Sequence, residues 1–263
     1  MSDSSAVPGQ VFGPISVQFE APIATVRFAD AENGNTFRRE WLDHLFQAVE
    51  AATGHPDTRV VIAAGMPSVF CAGATRETLV GIADGLPLPE YRRFARVFAT
   101  CPLPVVAEMQ GHALGGGLVL GLYADVAVLS ERSYYAANFM QYGVAPYVGA
   151  TYVVPAKIGE ALGTEMLLTA RGYRGIELKQ RGCGVQVVAH DEVPATARNL
   201  ALMIARSPRA SLELLKRELM GKCLAGSDAA MERELEPHMT SRELPDVVSL
   251  TEEGYGLLRT TTS

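Results

Sequence analysis

Three consecutive glycines, Gly115-Gly116-Gly117, stand between two apolar runs. The run before them is the β-prone Pro104-Val105-Val106-Ala107-Glu108, and after them come Leu118-Val119-Leu120 and Leu122-Tyr123-Ala124. The order reads as strand, corner, buried helix. A corner without side chains leaves backbone N–H groups bare, and a helix N-terminus adds partial positive charge and unpaired donors. Such a place suits an oxygen that bears negative charge. The same glycines equally suit a tight turn that lets two segments pack closely. A second stretch shares the design: the small-residue loop Cys71-Ala72-Gly73-Ala74, between the apolar run Val60-Val61-Ile62-Ala63-Ala64 and a helix start at Arg76. If the two loops face each other, two N–H groups grip one carbonyl oxygen, and each donor of such an oxyanion hole contributes about 2.7–4 kcal/mol in the transition state.

Other chemistries find less support. Neither loop contains Gly-Lys-Ser/Thr, so a phosphate-cradling loop is not indicated, and Gly111, Gly115 and Gly116 do not fit dinucleotide spacing. Cys71, Cys101, Cys183 and Cys223 form no CxxC pair, and the five histidines have no HExxH spacing. Neither a metal nor a cofactor is expected, and the cysteines suit free thiols in a reducing compartment. A formal charge of −6 and a pI near 5.5 argue against nucleic acid or an anionic membrane as the main partner. No apolar run reaches ~18 residues, and Met1 to Gln10 lacks the basic start and apolar centre of a secretory leader. The expectation is a cytoplasmic protein.

The elements that must position the loops can be read in outline. Residues 1–13 are expected as a flexible tail. Ile15 to Phe19 and Ile23 to Phe28 alternate as a hairpin, and Trp41, Leu42, Leu45, Phe46 and Val49 share one helical face. Val60–Ala64 and Val126–Leu129 read as buried strands. Arg76 to Ile82 reads as a short helix, Asp84 to Pro89 as a break, and Tyr91, Phe94, Val97 and Phe98 as a second amphipathic helix. Residues 134–151 read as irregular, punctuated by Gly143, Pro146 and Gly149. Helices are expected over Gly159–Thr169, Gly175–Arg181, Asp191–Ala205 and Ser211–Leu224, with one strand at Val185–Val188. A further helix, Glu232 to Glu236, is expected to end at Pro237, and a last one to run from Pro245 to Leu258. Strands alternating with helices, then a helix-rich tail, predict an α/β chain of one domain unit.

The pair Phe70-Cys71-Ala72-Gly73-Ala74 and Gly111-His112-Ala113-Leu114-Gly115-Gly116-Gly117, in that order and separation, resembles the crotonase (enoyl-CoA hydratase/isomerase) superfamily, from Ile15 to about Tyr255. The resemblance implies a ββα spiral core over 14–205 and a C-terminal helical region over 206–263 that builds a homotrimer or a dimer of trimers. It also implies an acyl-thioester substrate whose oxygen is held by the N–H groups of Ala74 and Gly116, beside Ala72 and Gly115. Hydratases of the family place two glutamates around their water, and the matching positions here are Val119 and Phe139, which cannot move a proton. Hydration by a two-carboxylate route is therefore not expected.

A narrower resemblance is to the decarboxylating crotonases of polyketide β-branching. It is carried by Tyr135-Ala136-Ala137-Asn138-Phe139-Met140-Gln141-Tyr142-Gly143, by Gly149-Ala150-Thr151, and by Glu232-Arg233-Glu234-Leu235 with His238. It implies decarboxylation of a 3-methylglutaconyl-type thioester on the phosphopantetheine arm of an acyl carrier protein, with acyl-CoA as the other carrier. His238 matches a family histidine that reaches the pocket, to hold the departing carboxylate or deliver a proton; the alternative is an exposed histidine after a helix ended by Pro237. No lysine lies between Cys71 and Gln110, where family members can use one; Arg76 offers a positive charge there but does not readily give up a proton at neutral pH. Tyr147 stands where the group has a glycine, which reshapes or narrows the pocket. Asn138 suits either substrate contact or a turn, His112 a structural hydrogen bond, and Arg38, Arg39, Arg92, Arg93 and Arg96 either a solvated face or an acidic carrier. CoA-ester isomerisation and a catalytically silent carrier-binding role are the rival readings; a cavity filled by Tyr147 would favour the latter.

Overall fold

Alternation in the first strands puts one set of side chains on one face. The computed structural model describes residues 9–79 and 88–253. In it β1 (Gln10–Phe12), β2 (Ile15–Glu20) and β3 (Ile23–Phe28) form an antiparallel meander, with Ile15 opposite Phe28 and Val17 opposite Val26, all buried. The tail expected over 1–13 is thus a paired strand from Gln10 to Phe12; residues 1–8 lie outside the described ones. Val11 is exposed and only Phe12 of the strand packs against the core, so β1 is held largely by backbone pairing to β2 and carries little apolar signal. Next, α1 (Arg39–Gly54) lays Trp41, Leu42, Leu45, Ala48, Val49 and Ala52 onto this layer.

From here the chain repeats a strand for one sheet, a strand for a second, then helix. The first turn is β4 (Val60–Ala64), β5 (Val69–Cys71), α2 (Arg76–Leu79), α3 (Leu88–Ala95) and α4 (Val97–Thr100). The second is β6 (Val105–Met109), β7 (His112–Leu114) and α5 (Gly116–Leu122). The third is β8 (Val126–Ser130), β9 (Tyr134–Ala136), a 3-10 helix (Asn138–Tyr142), α6 (Ala150–Ile158) and α7 (Glu160–Thr169). After β10 (Tyr173–Arg174), α8 (Gly175–Gln180) and β11 (Gln186–Val188) come α9 (Val193–Ile204) and α10 (Arg209–Arg242). The large sheet runs β1-β2-β3-β4-β6-β8-β11 and the small one β10-β9-β7-β5. This is the ββα spiral.

Both faces of the large sheet are covered, which is why β4 and β6 read as continuous apolar runs. On one face, Ile23, Val60, Ile62, Ala64, Val106 and Val128 pack against Val193, Ala197 and Ala201 of α9. The main core, containing Phe28, Trp41, Phe70, Phe98, Leu118 and Tyr123, fills the other side.

Several elements depart from expectation. The helix expected over Arg76–Ile82 is described for Arg76–Leu79, and residues 80–87, with most of the expected break, lie outside the described ones. The next helix is split at Arg96, which leaves helical geometry at φ −100°, ψ 8°; Phe94, Val97 and Phe98 are buried as expected, and the Tyr91 side chain lies outside the described ones. Residues 134–151 contain β9 and the 3-10 helix. Most consequentially, α10 is one helix of 34 residues where two short ones were expected. Gly226 does not stop it, because an added Cβ there would lie 2.4 Å from the Tyr152 ring; the glycine serves close packing. Pro237 is exposed, so water can take the carbonyl that loses its donor, while Leu212, Met220, Ala230, Met231 and Glu234 keep one face buried. Beyond it, residues 247–253 are helical, and the rest of the expected Pro245–Leu258 helix lies outside the described residues. Among the described residues no helix is long and apolar enough to cross a membrane.

A buried ion pair fixes α10 to the spiral. Lys216 donates to the Phe98 carbonyl at 2.7 Å and to the Asp125 carboxylate at 2.6 Å, and the same carboxylate oxygen accepts the Val105 N–H at 2.7 Å. Removing one partner strands a charge away from water. Lys216→Ala is expected to lower unfolding free energy by about 3–5 kcal/mol, read by denaturant titration; a loss below ~1 kcal/mol would show the pair to be solvated.

Candidate active site

Strands β5 and β7 are parallel neighbours in the small sheet, so the loops that follow them leave the same edge side by side. The first loop runs from Cys71 through Ala72 and Gly73 to Ala74, which bridges to Phe37. The second turns at Gly115 and enters α5 at Gly116. Their approach is at backbone distance. A Cβ on Gly73 would lie 2.6 Å from the Leu114 carbonyl oxygen and 3.5 Å from the Gly116 nitrogen, and one on Gly117 would lie 2.2 Å from the Cys71 carbonyl oxygen. Gly73 and Gly115 also sit at φ +85° and +51°, where side chains are strained. Close packing therefore sets the Gly116 nitrogen beside the first loop. Gly116 opens its helix, so its N–H lies outside the helix's own hydrogen-bond ladder.

Between the loops is a cavity of about 40 Å³ lined by Ala72, Ala74, Leu114, Gly115, Gly116, Asn138, Phe139 and Tyr142. Asn138 is buried and donates from Nδ2 to the Tyr142 hydroxyl at 3.1 Å. It therefore serves both as cavity wall and as an anchor of its own turn. Burial pushes the Tyr142 phenol up to about 12, which keeps it neutral. No carboxylate, histidine or cation is among these lining residues, and among the described residues no cluster of side chains suits a metal.

The remaining sequence candidates are placed elsewhere. Val119, fully buried one turn into α5, packs in the core behind the cavity rather than on its wall, whereas Phe139 does line it. Arg76 is not on the wall either; its guanidinium pairs with Glu252 at 2.6 Å, and both are exposed. Tyr147 does not fill the cavity. It is 3% exposed, and its ring stacks on that of His238 at 5.1 Å with an interplanar angle of 25°. His238 lies inside α10 rather than after a helix end, half-buried, with Nδ1 2.8 Å from the Ala145 carbonyl oxygen. A carbonyl only accepts, so Nδ1 carries the proton and Nε2 the lone pair. Burial holds its pKa below the usual histidine value, so at neutral pH the ring has no second proton to deliver. His112 is the structural hydrogen-bonder expected: Nδ1 accepts the Tyr134 N–H at 2.9 Å. Arg38, Arg39 and Arg96 pair with Asp30, Glu90 and Asp228, and Arg93 lies over the Phe46 ring.

Sequence reasoning missed the residues that hold the site from outside. Glu234, buried, accepts the Gly149 and Thr151 N–H groups at 2.8 Å each and the Thr151 hydroxyl at 2.6 Å. It thereby caps α6, a carboxylate at a helix N-terminus. Ser241 accepts the Ala145 N–H at 2.8 Å. Only the fold could reveal these contacts, since their partners lie some ninety residues away in the chain.

Comparison with known proteins agrees with this geometry. The model of the enoyl-CoA hydratase/isomerase family matches residues 18–244. The chain belongs to this family, the crotonase superfamily. A curated member, bacillaene synthase decarboxylase PksI of Bacillus subtilis, is 38% identical over 240 residues, 91% of this chain and 96% of that protein. The ECH2 decarboxylase domain of CurF from Lyngbya majuscula is 32% identical with a TM-score of 0.85, covering 92% of this chain and 99% of that one. A solved structure of a dehydratase/decarboxylase enzyme couple involved in polyketide β-branching matches at 37% identity and TM-score 0.86, over 92% of this chain and 96% of that one. By these relationships the protein is an enzyme, a crotonase-superfamily decarboxylase.

His112 and His238 are both held neutral, with pKa values below the usual one chiefly because of burial. The unfolded chain therefore binds more protons than the native one between the lowered values and ~6.5, and stability rises with pH there. It is full above about 6.5 and is lost as pH falls through the folded values. Denaturant titrations at pH 7.5 and 5.5 are expected to show lower stability at the acid end, with a smaller loss in His238→Gln. An equal loss in that variant would remove His238 from the balance.

Proposed function

We propose that the protein decarboxylates a 3-methylglutaconyl-type thioester carried on an acyl carrier protein during polyketide β-branching. The observation that carries this is the pairing of the Ala74 and Gly116 loops around a cavity with Phe139 on its wall and no carboxylate among its described lining residues. Without an acid–base pair around a water, hydration has no agent. Stabilising negative charge on one oxygen is what remains. The thioester carbonyl enters between the loops. The bond to the distal carboxylate carbon breaks, CO₂ leaves, and its electron pair spreads through a dienolate onto the thioester oxygen. The N–H groups of Ala74 and Gly116 hold that charge. A proton from solvent then adds at the γ carbon, giving a 3-methylcrotonyl-type product, or at the α carbon, giving a β,γ-unsaturated one. The apolar wall of Leu114 and Phe139 helps by withdrawing water from the carboxylate end, since a poorly solvated carboxylate lies closer in energy to neutral CO₂. Exposed Leu214, Leu215 and Leu219 on α10 support assembly through the C-terminal region, as in the trimer that the family resemblance implies.

Intact-mass spectrometry of 3-methylglutaconyl-carrier protein mixed with the enzyme is expected to show loss of one CO₂. Crotonyl-CoA under the same conditions is expected to gain no water. Unchanged carrier beside an active control enzyme, or hydration of crotonyl-CoA, would contradict the proposal.

A further inference from the structure

The step that ends the proposed reaction places a proton on carbon, and the cavity offers few sources for it. Its described lining residues are alanines, glycines, Leu114, Phe139, Asn138 and Tyr142, of which Tyr142 alone carries an ionisable proton. The other candidates are engaged elsewhere. His238 turns its Nδ1 proton to the Ala145 carbonyl, His112 accepts the Tyr134 N–H at the start of β7, and Arg76 pairs with Glu252.

The phenol is placed by its neighbour. Asn138 opens the 3-10 helix and Tyr142 closes it, so their side chains meet about one turn apart. The Asn138 Oδ1 lies against Gly115, 3.3 Å from where a Cβ there would stand, and Nδ2 of the same amide donates to the Tyr142 hydroxyl at 3.1 Å. The hydroxyl is thus one amide group away from Gly115, the residue that turns into α5 beside the Gly116 nitrogen. Because Asn138 is the donor, the phenol's own proton is not committed to that amide, and the amide N–H is set to hold the oxygen once the proton has left. Burial pushes the phenol up to about 12, so it is protonated at neutral pH, while the Asn138 N–H acts the other way and favours the phenolate.

We propose that the Tyr142 phenol is the acid that protonates the dienolate, with Asn138 as its positioning residue. The assignment rests on the decarboxylation reading above. In the step the phenol O–H bond breaks, and the dienolate's electron pair forms a C–H bond at the γ or the α carbon. Negative charge passes from the thioester oxygen to the phenolate, which the Asn138 N–H holds until solvent entering the emptied cavity returns a proton. A phenol is a far stronger acid than the C–H it creates, so the transfer runs downhill. It also stays neutral beforehand, and a neutral phenol is no base for activating water. A donor fixed on one wall reaches one carbon, whereas free water reaches both.

The test is the ratio of γ- to α-protonated product from 3-methylglutaconyl-carrier protein, read by NMR of a ¹³C-labelled acyl chain. Wild type is expected to give chiefly one isomer. Tyr142→Phe should bind unreactive 3-methylbutyryl-carrier protein within about twofold of wild type, yet its isomer ratio should move about tenfold or more toward the mixture that free water gives. Asn138→Leu, which leaves the phenol in place, should move the ratio in the same direction; a purely structural role would weaken carrier binding and leave the ratio alone. A Tyr142→Phe variant with the wild-type ratio, or a wild type that gives both isomers equally, would overturn the assignment. If wild type releases no CO₂, deuterium uptake by 3-methylcrotonyl-carrier protein in D₂O reads the same transfer in reverse. Uptake that Tyr142→Phe slows about tenfold or more keeps the phenol's role while the decarboxylation reading falls. Equal uptake in both proteins, or none in either, removes the assignment as well.

Discussion

The site depends on two backbones touching. Parallel pairing of β5 with β7 sets their exit loops side by side, and only glycine at positions 73 and 117 lets those loops meet at carbonyl-contact distance. Everything catalytic in the proposal follows from that contact. It directs the start of α5 at the space beside Ala74, and it uses main-chain groups that cannot swing away. Main-chain donors set in a packed sheet edge need no reorganisation when charge develops, which is the physical advantage of such holes over side-chain donors.

A second constraint comes from the opposite end of the chain. Helix α10 is joined to the spiral by the Lys216–Asp125 pair and reaches across to residues 145–151 through Glu234, His238 and Ser241. Ala145, three residues beyond the cavity-wall residue Tyr142, and the start of α6 are thereby referenced to the same helix. A rigid hole on one side and a clamped loop on the other leave the acyl chain's orientation to be decided by shape and by few polar groups, as expected of pockets that steer one reaction among several open to an enolate.

Much of this was legible in the sequence, for physical reasons. The Gly115–Gly117 corner and the Cys71–Ala74 loop announced themselves because bare backbone leaves a compositional mark, and the large sheet did so because strands covered on both faces are continuously apolar. The small sheet did not, since β5, β7 and β9 have three residues each, too few for a period to emerge. Residues 134–151 therefore read as irregular. Proline at 237 and glycine at 226 hid the continuity of α10, because tertiary packing overrode their local preference. Val119 and Phe139 are both apolar where the family resemblance implies glutamate in hydratases, but only the fold separates the one that lines the cavity from the one packed in the core. Likewise Glu234 in Glu232-Arg233-Glu234-Leu235 is indistinguishable in sequence from its neighbours, yet it alone is buried and capping.

The central claim is that the Ala74 and Gly116 loops together polarise a thioester oxygen. Isotope-edited infrared spectroscopy addresses it directly, with a ¹³C label at the carbonyl of an unreactive 3-methylbutyryl-carrier protein. On binding, the labelled carbonyl stretch is expected to move to lower frequency than in free carrier, because two donors weaken the C=O bond. Saturable binding with an unshifted carbonyl band would contradict the claim and place the thioester elsewhere.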